Sequence, residues 1–204
     1  MSKTRAFQLG AAAVASVAVL SACSSETAGN PSTATPRSAG SSSAAASTSQ
    51  LAPKVPSALP TDALTTNPCS ALSPAQVTKI GLTGAGEMRQ DDLGPNCKWR
   101  SATSQFNVVY LSPMTINKNG LSDIYAAKAN FAYFEPTTVN GYPGVYASPT
   151  ENRSGGDCQL WVGVTEQLSV SVSDQIGDGP NKTNPCLVTE RVATAMINHL
   201  QGKE

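Results

Sequence analysis

Histidine occurs once in the 204 residues, at His199, and charged residues make up only 14% of the chain. A multi-histidine metal site or a set of several catalytic imidazoles is thereby excluded. A basic excess is missing as well. The 14 Lys and Arg are balanced by 14 Asp and Glu, so there is no electrostatic footprint for nucleic acid. No apolar run reaches the roughly 20 residues that a membrane-spanning helix needs. Aromatic residues are scarce at 5%, and all but Phe7 lie between Trp99 and Trp161. Cysteines number five, an odd count that in an exported chain leaves one thiol with a separate role.

That separate thiol is found near the amino end. Lys3 and Arg5 precede a weakly apolar, uncharged run from Phe7 to Leu20, too short for an anchor helix and suited to a signal peptide. It leads into Leu20-Ser21-Ala22-Cys23, which resembles the bacterial lipobox. The order predicts a signal peptide over 1–22 and a lipid on the sulfur of Cys23, with the mature chain on the outer face of the cytoplasmic membrane. Without an Arg-Arg pair, export by the general route is expected. Each buried CH₂ contributes about 0.8 kcal/mol, and two or three acyl chains hold stably where one does not. Loss of Lys3 and Arg5 leaves 12 basic against 14 acidic residues, so lipid alone would make the anchor.

From Ser24 to Thr66 Ser, Thr, Ala, Pro and Gly dominate and no aromatic residue occurs. With little to bury, 23–66 reads as a disordered tether. The remaining 67–204 is long enough for a single domain with a sizeable core.

Within that domain the patterns are mostly hairpins. Ser73-Pro74-Ala75-Gln76 is a capping box opening a short helix that Gly81 ends. Cys97 to Ser101 and Phe106 to Tyr110 alternate as paired strands, and a helix from Leu121 to about Asn130 presents Leu121, Ile124 and Tyr125 on one face. Asn140-Gly141 joins two more strands, with Pro143 suggesting an edge position. Cys158 to Val164 and Leu168 to Ser173 form another hairpin, whose serines must face water or a polar layer. A last helix from Leu187 to Leu200 carries Val188, Val192, Ala195 and Met196 as its apolar stripe. These elements predict an α+β fold: an antiparallel sheet of about six strands with short N-terminal, middle and C-terminal helices, the terminal helices covering one face and the other left partly open.

Cys69, Cys97, Cys158 and Cys186 remain as an even set, expected to be oxidised outside the cytoplasm. Of three possible connectivities the spacing favours two local pairs. Cys69 and Cys97 are 28 positions apart, and so are Cys158 and Cys186. Asn67-Pro68-Cys69 and Asn184-Pro185-Cys186 both open helices, whereas Cys97 and Cys158 both begin strands that carry a Trp. Each pair would staple one terminal helix to the sheet. A four-thiolate zinc site is the lesser alternative, because no two of these cysteines are close in sequence.

A Pro-Cys-Ser-x-Leu-Ser-Pro-Ala-x-Val opening, a Cys-x-Trp strand, Val139-x-Gly141-x-Pro143-x-Val145, a later strand Cys and a Pro-Cys before the last helix occur together. In these the chain resembles small actinobacterial lipoproteins that carry a domain of unknown function. Gly144 departs from the pattern, standing where a small apolar residue is expected. The resemblance implies an exported, two-disulfide α+β domain on a lipid tether, and no catalytic residues.

The residues supply little chemistry of their own. His199 sits in the last turn of a helix, and Ser-His-Asp hydrolysis lacks its Gly-x-Ser-x-Gly elbow. Asp91-Asp92 reads as solvated loop charge, and the glycines from Gly81 to Gly86 lack the Lys-Ser/Thr of a phosphate loop. Trp161 is out of phase with Cys158, Leu160 and Val162, and Tyr142 and Tyr146 share a strand face, so these three aromatics are the candidate binding surface. The expectation is a non-enzymatic binding or accessory lipoprotein without cofactor or metal. It would engage a cell-wall component, a lipid or an envelope protein. The alternatives are an interaction or regulatory subunit of an envelope membrane complex and, after that, a carboxylate-based hydrolase.

Overall fold

A computed structural model describes residues 51–203. Cys23, the signal peptide and the tether up to residue 50 lie outside the described residues. Residues 51–66, assigned to the tether on composition, are instead folded. They carry a short helix α1 (Asp62–Thr66), and Ala52, Leu59 and Leu64 are buried. Two leucines that a Ser/Thr/Ala/Pro count does not register dock this segment, together with Leu59 N–H donating to the Val164 carbonyl, Val55 N–H to Glu166 and the Tyr142 hydroxyl to the Ser57 carbonyl.

The chain then runs through a 3₁₀ turn (Pro68–Ala71), α2 (Pro74–Lys79), β1 (Leu82–Asp91), β2 (Gly94–Ser101) and β3 (Asn107–Pro113). After α3 (Leu121–Ala126) come β4 (Tyr133–Val139), β5 (Tyr142–Ser148), β6 (Asp157–Gly163), β7 (Ser169–Ile176) and α4 (Cys186–Leu200). The expected α+β class holds, with seven antiparallel strands rather than about six, in the order β1-β2-β3-β7-β6-β5-β4. Two meanders therefore meet at β3 and β7. The link from β3 must cross to the far edge of the sheet, and it carries α3 over one face.

The additional strand is β1, which lies at the edge and is mostly exposed on both sides. It has no apolar alternation because only its first residue, Leu82, is buried. Its register with β2 shifts between Thr83 and Glu87, where Gly84, Ala85 and Gly86 bulge over Trp99. Gly86 has φ +83°, and a Cβ there would come within 2.8 Å of Trp99 Nε1. The glycines that do not make a phosphate loop thus make a bulge.

Local readings recur in the structure. Ser73 Oγ accepts from Gln76 N–H at 3.3 Å while Gln76 Oε1 accepts from Ser73 N–H at 3.0 Å, completing the capping box. Gln76 Nε2 also donates to the Ala195 carbonyl at 2.9 Å, tying α2 to α4. Asn140 and Gly141 both adopt positive φ in the β4–β5 turn. Pro143, however, is not on an edge strand, because β4 lies outside β5. The proline is tolerated since the β5–β6 ladder is confined to Gly144, Val145 and Tyr146, leaving Pro143 beyond it. At Gly144 a Cβ would lie 3.0 Å from the Trp161 carbonyl oxygen, so close strand approach accounts for the missing side chain.

The disulfides join Cys69 to Cys97 and Cys158 to Cys186. The first fastens the 3₁₀ turn to β2 and the second fastens the start of α4 to β6, as the mirrored spacing predicts. On the face beneath α4 the core comprises Trp99, Val109, Leu111, Leu160, Val162, Val170 and Val172 with Val192, Met196 and Ile197. A smaller cluster on the opposite face gathers Met114, Leu121, Ile124, Val145, Ala147 and Trp161 beneath α3. The middle helix thus covers part of the face expected to be open.

Candidate functional site

The three aromatic residues proposed as one surface divide between two faces. Tyr142 is buried in the core beneath α4, with its hydroxyl donating to the Ser57 carbonyl at 3.0 Å. Tyr146 packs against the same core and donates to Glu190 Oε2 at 3.1 Å. Burial, and then the neighbouring Glu190 carboxylate, hold its hydroxyl well above the usual tyrosine range. Trp161 is on the other face, with Nε1 donating to the Ala147 carbonyl at 2.8 Å. The separation follows from register. Val145 stands opposite Trp161, so Tyr146 and Tyr142 have the opposite parity.

Around Trp161 the structure assembles a site that alternation alone hinted at. Tyr110, Ser173 and Gln159 are cross-strand partners on β3, β7 and β6, and Ser112, Ser171 and Trp161 form the next row. These six side chains line a trough of about 300 Å³ on the sheet face opposite α4. Arg89, Asp91, Leu93 and Asn96 wall it from the β1–β2 arm, and Met114 closes it where the chain leaves β3. The serines of β7 therefore face a polar layer. Gln159 Nε2 donates to Ser171 Oγ at 3.0 Å, and Asn96 Nδ2 donates to Asp91 Oδ2 at 2.9 Å. Among the described residues, the hydroxyls of Tyr110, Ser112 and Ser173 have no hydrogen-bond partner in the protein, and all three residues are only half-buried.

A second, smaller pocket of about 160 Å³ shares Tyr110, Gln159 and Ser173 with the trough and extends it to Tyr133, Asp157 and Asp174. Here β5 has left β6, and the Tyr133 hydroxyl takes over its backbone partner. Gln159 N–H donates to the Tyr133 hydroxyl at 3.1 Å and Cys158 N–H to Asp174 Oδ1 at 2.8 Å. Burial pushes the Asp174 carboxyl up to about 8 against the pull of the Cys158 N–H, and the charge of Asp157 adds to the rise.

A larger groove than the trough, about 620 Å³, lies between α2 and α4. Ile80, Leu187 and Ala195 give it an apolar wall, and its one buried amide, Gln76, is engaged at both ends by Ser73 and Ala195. Its lining is more apolar than that of the trough.

The other sequence candidates do not converge. Asp91 accepts from Leu93 N–H and Asn96 and orders the β1–β2 turn, while Asp92 is exposed. His199 occupies the last turn of α4 and lines neither the trough nor the α2–α4 groove. Among the described residues no three His, Cys, Asp or Glu gather as a metal site, and no helix is long and apolar enough to cross a membrane. Cys69, Cys97, Cys158 and Cys186 are consumed in disulfides that mark the domain as extracytoplasmic.

A family model described as a protein of unknown function, DUF3558, matches residues 18–199. The chain belongs to the DUF3558 family. The match covers every strand and nearly all of α4 in this DUF3558 chain, so the two stapled helices and the trough all fall within the family region. No curated protein and no solved structure gives a significant match.

Proposed function

We propose that this DUF3558 protein is a lipid-anchored binding or accessory module of an actinobacterial cell envelope, held at the outer face of the cytoplasmic membrane through acylated Cys23 and acting without catalysis. The observation that carries the binding reading is the trough around Trp161, where the partnerless hydroxyls of Tyr110 and Ser112 on β3 and Ser173 on β7 stand in register beside Gln159 of β6. Open to solvent and held in place by the strands, a polar array of this kind matches a site for a hydrogen-bonding ligand. The two disulfides support an exported domain, and the lipobox at Leu20 to Cys23 supports the anchor. Partners consistent with this placement are a cell-wall component, a lipid or an envelope protein.

Two measurements test the reading. Cys23→Ala should move the protein from the membrane to the soluble fraction or leave it uncleaved; unchanged fractionation and processing would remove the anchor from the proposal. A photo-crosslinker in place of Ser173 should capture an envelope molecule in living cells, where the same probe at exposed Lys203 does not. Equal labelling from both positions would deny the trough its role.

A further inference from the structure

We infer that the trough takes a short segment of neutral, hydroxyl-rich glycan. The inference rests on the reading of the trough as the binding face and names the ligand class for it. Sugar hydroxyls both donate and accept, and the trough answers them with groups of the same dual character: the hydroxyls of Tyr110, Ser112, Ser171 and Ser173 and the amides of Gln159 and Asn96. They are set on strands, with Tyr110 opposite Ser173 and Ser112 opposite Ser171, so the array is held in place before any ligand arrives.

Charge narrows the class. Arg89 and Asp91 are the charged groups lining the trough; they are opposite in sign, and Asp91 already accepts from Leu93 N–H and Asn96. An anionic ligand such as a phosphate ester would find one exposed guanidinium in the lining, Lys98 engaged over the Tyr110 ring, and no helix N-terminus. A lipid chain would find only Leu93, Met114 and Trp161 as apolar lining, too little to enclose it. A sugar ring instead offers C–H faces that pack on aromatic rings, and the trough lining supplies half-buried Tyr110, with the Lys98 ammonium 5.7 Å from its ring centre, and, across β7 in the next row, Trp161. The volume of about 300 Å³ is at the small end for ligand sites, which limits occupancy to a short segment of a longer polymer.

The test uses the full chain in a detergent without a sugar headgroup, titrated through the millimolar range with chitotriose and maltotriose, and with trigalacturonate as the anionic comparison. Calorimetry and tryptophan fluorescence should report binding of at least one neutral trisaccharide and weaker binding of the anionic one. Gln159→Ala and Tyr110→Ala should each weaken that binding about tenfold while leaving the circular dichroism unchanged, the size expected when a hydrogen bond or a stacking contact is lost. Neutral-sugar binding that both variants leave intact would overturn the site, and preference for the anionic sugar would overturn the ligand class. Absence of sugar binding, together with capture of a protein or lipid by the crosslinker at position 173, would overturn the glycan while the binding reading stands. Absence of both would overturn the two together.

Discussion

Asp174 and Cys158 face each other across β7 and β6, and the carboxylate of the first accepts a hydrogen bond from the backbone N–H of the second at 2.8 Å. Where β5 leaves β6, the Tyr133 hydroxyl takes the Gln159 N–H that the ladder no longer reaches, while the Cys158 N–H, on the β7 side, is met by the Asp174 side chain. The arrangement has a cost, because Asp174 Oδ2 is buried with no partner.

That cost makes stability depend on pH. With its carboxyl pushed up to about 8 by burial, against an ordinary value of 3.8, folded Asp174 keeps its proton where the unfolded chain has lost it. The penalty is absent below pH 4, grows as the unfolded chain ionises, and is complete above pH 8, so stability falls as pH rises through this window. Urea denaturation between pH 4 and 9 should show the decline, and Asp174→Asn, which keeps an acceptor for Cys158 N–H, should flatten it by a few kcal/mol at the alkaline end. Parallel curves for the two proteins would mean that Asp174 is ionised throughout.

Each disulfide closes a segment with a sequence separation of 28. In the chain-entropy model such a loop contributes about 3–4 kcal/mol, and equal loops contribute equally. Paired serine variants, Cys69→Ser with Cys97→Ser and Cys158→Ser with Cys186→Ser, should therefore lower the denaturation midpoint by similar amounts. A large inequality would show that native packing at one staple, rather than chain entropy, sets the difference.

Gly86 and Gly84 both have positive φ in the β1 bulge, but their surroundings differ. A Cβ at position 84 meets nothing within 4 Å, whereas at 86 it meets Trp99 Nε1 at 2.8 Å and crowds the Cys97 sulfur. Gly84→Ala should cost about 1–2 kcal/mol of backbone strain. Gly86→Ala should cost more and alter the near-ultraviolet dichroism of Trp99. Equal costs would show that the bulge shifts freely over the indole.

Gln76 links the capping box of α2 to the Ala195 carbonyl of α4. Gln76→Ala breaks both bonds and leaves the buried Ser73 N–H without its acceptor, so it should destabilise by about 2–3 kcal/mol, more than the roughly 1 kcal/mol expected for Ser73→Ala. Thermal denaturation of both variants checks the order. The reverse order would place the main contribution in the cap alone.

Much of this fold was legible before any coordinates, wherever a local rule was strong. Asn140-Gly141 demanded its turn, Ser73 to Gln76 its cap, and the mirrored 28-residue spacing its two staples, because each depends on neighbours in the chain or on a repeated local context. β1 was not legible, since an edge strand exposed on both sides carries no burial pattern and its glycines serve a bulge. Residues 51–66 were hidden by their composition, in which Leu59 and Leu64 are too few to register yet help to dock the segment. The candidate site was half visible: Trp161 and the serines of β7 show their parity within their own strands.

What the sequence by itself determined is thus the alternation within each strand, the helix ends, the even set of four cysteines and the exported character that follows from them. Only the tertiary structure decided which strands meet and in what register. Parity within a strand says which residues share a side, but not which side of the sheet that is. The pairing of Val145 with Trp161 sent Tyr142 and Tyr146 beneath α4, and the pairing of β7 with both β3 and β6 set Ser171 and Ser173 between Tyr110, Ser112 and Gln159. A trough built from the β6–β7 hairpin and the sequence-distant β3 exists only through that register, because cross-strand neighbours are fixed by hydrogen bonding between segments and not by the order of residues along either one.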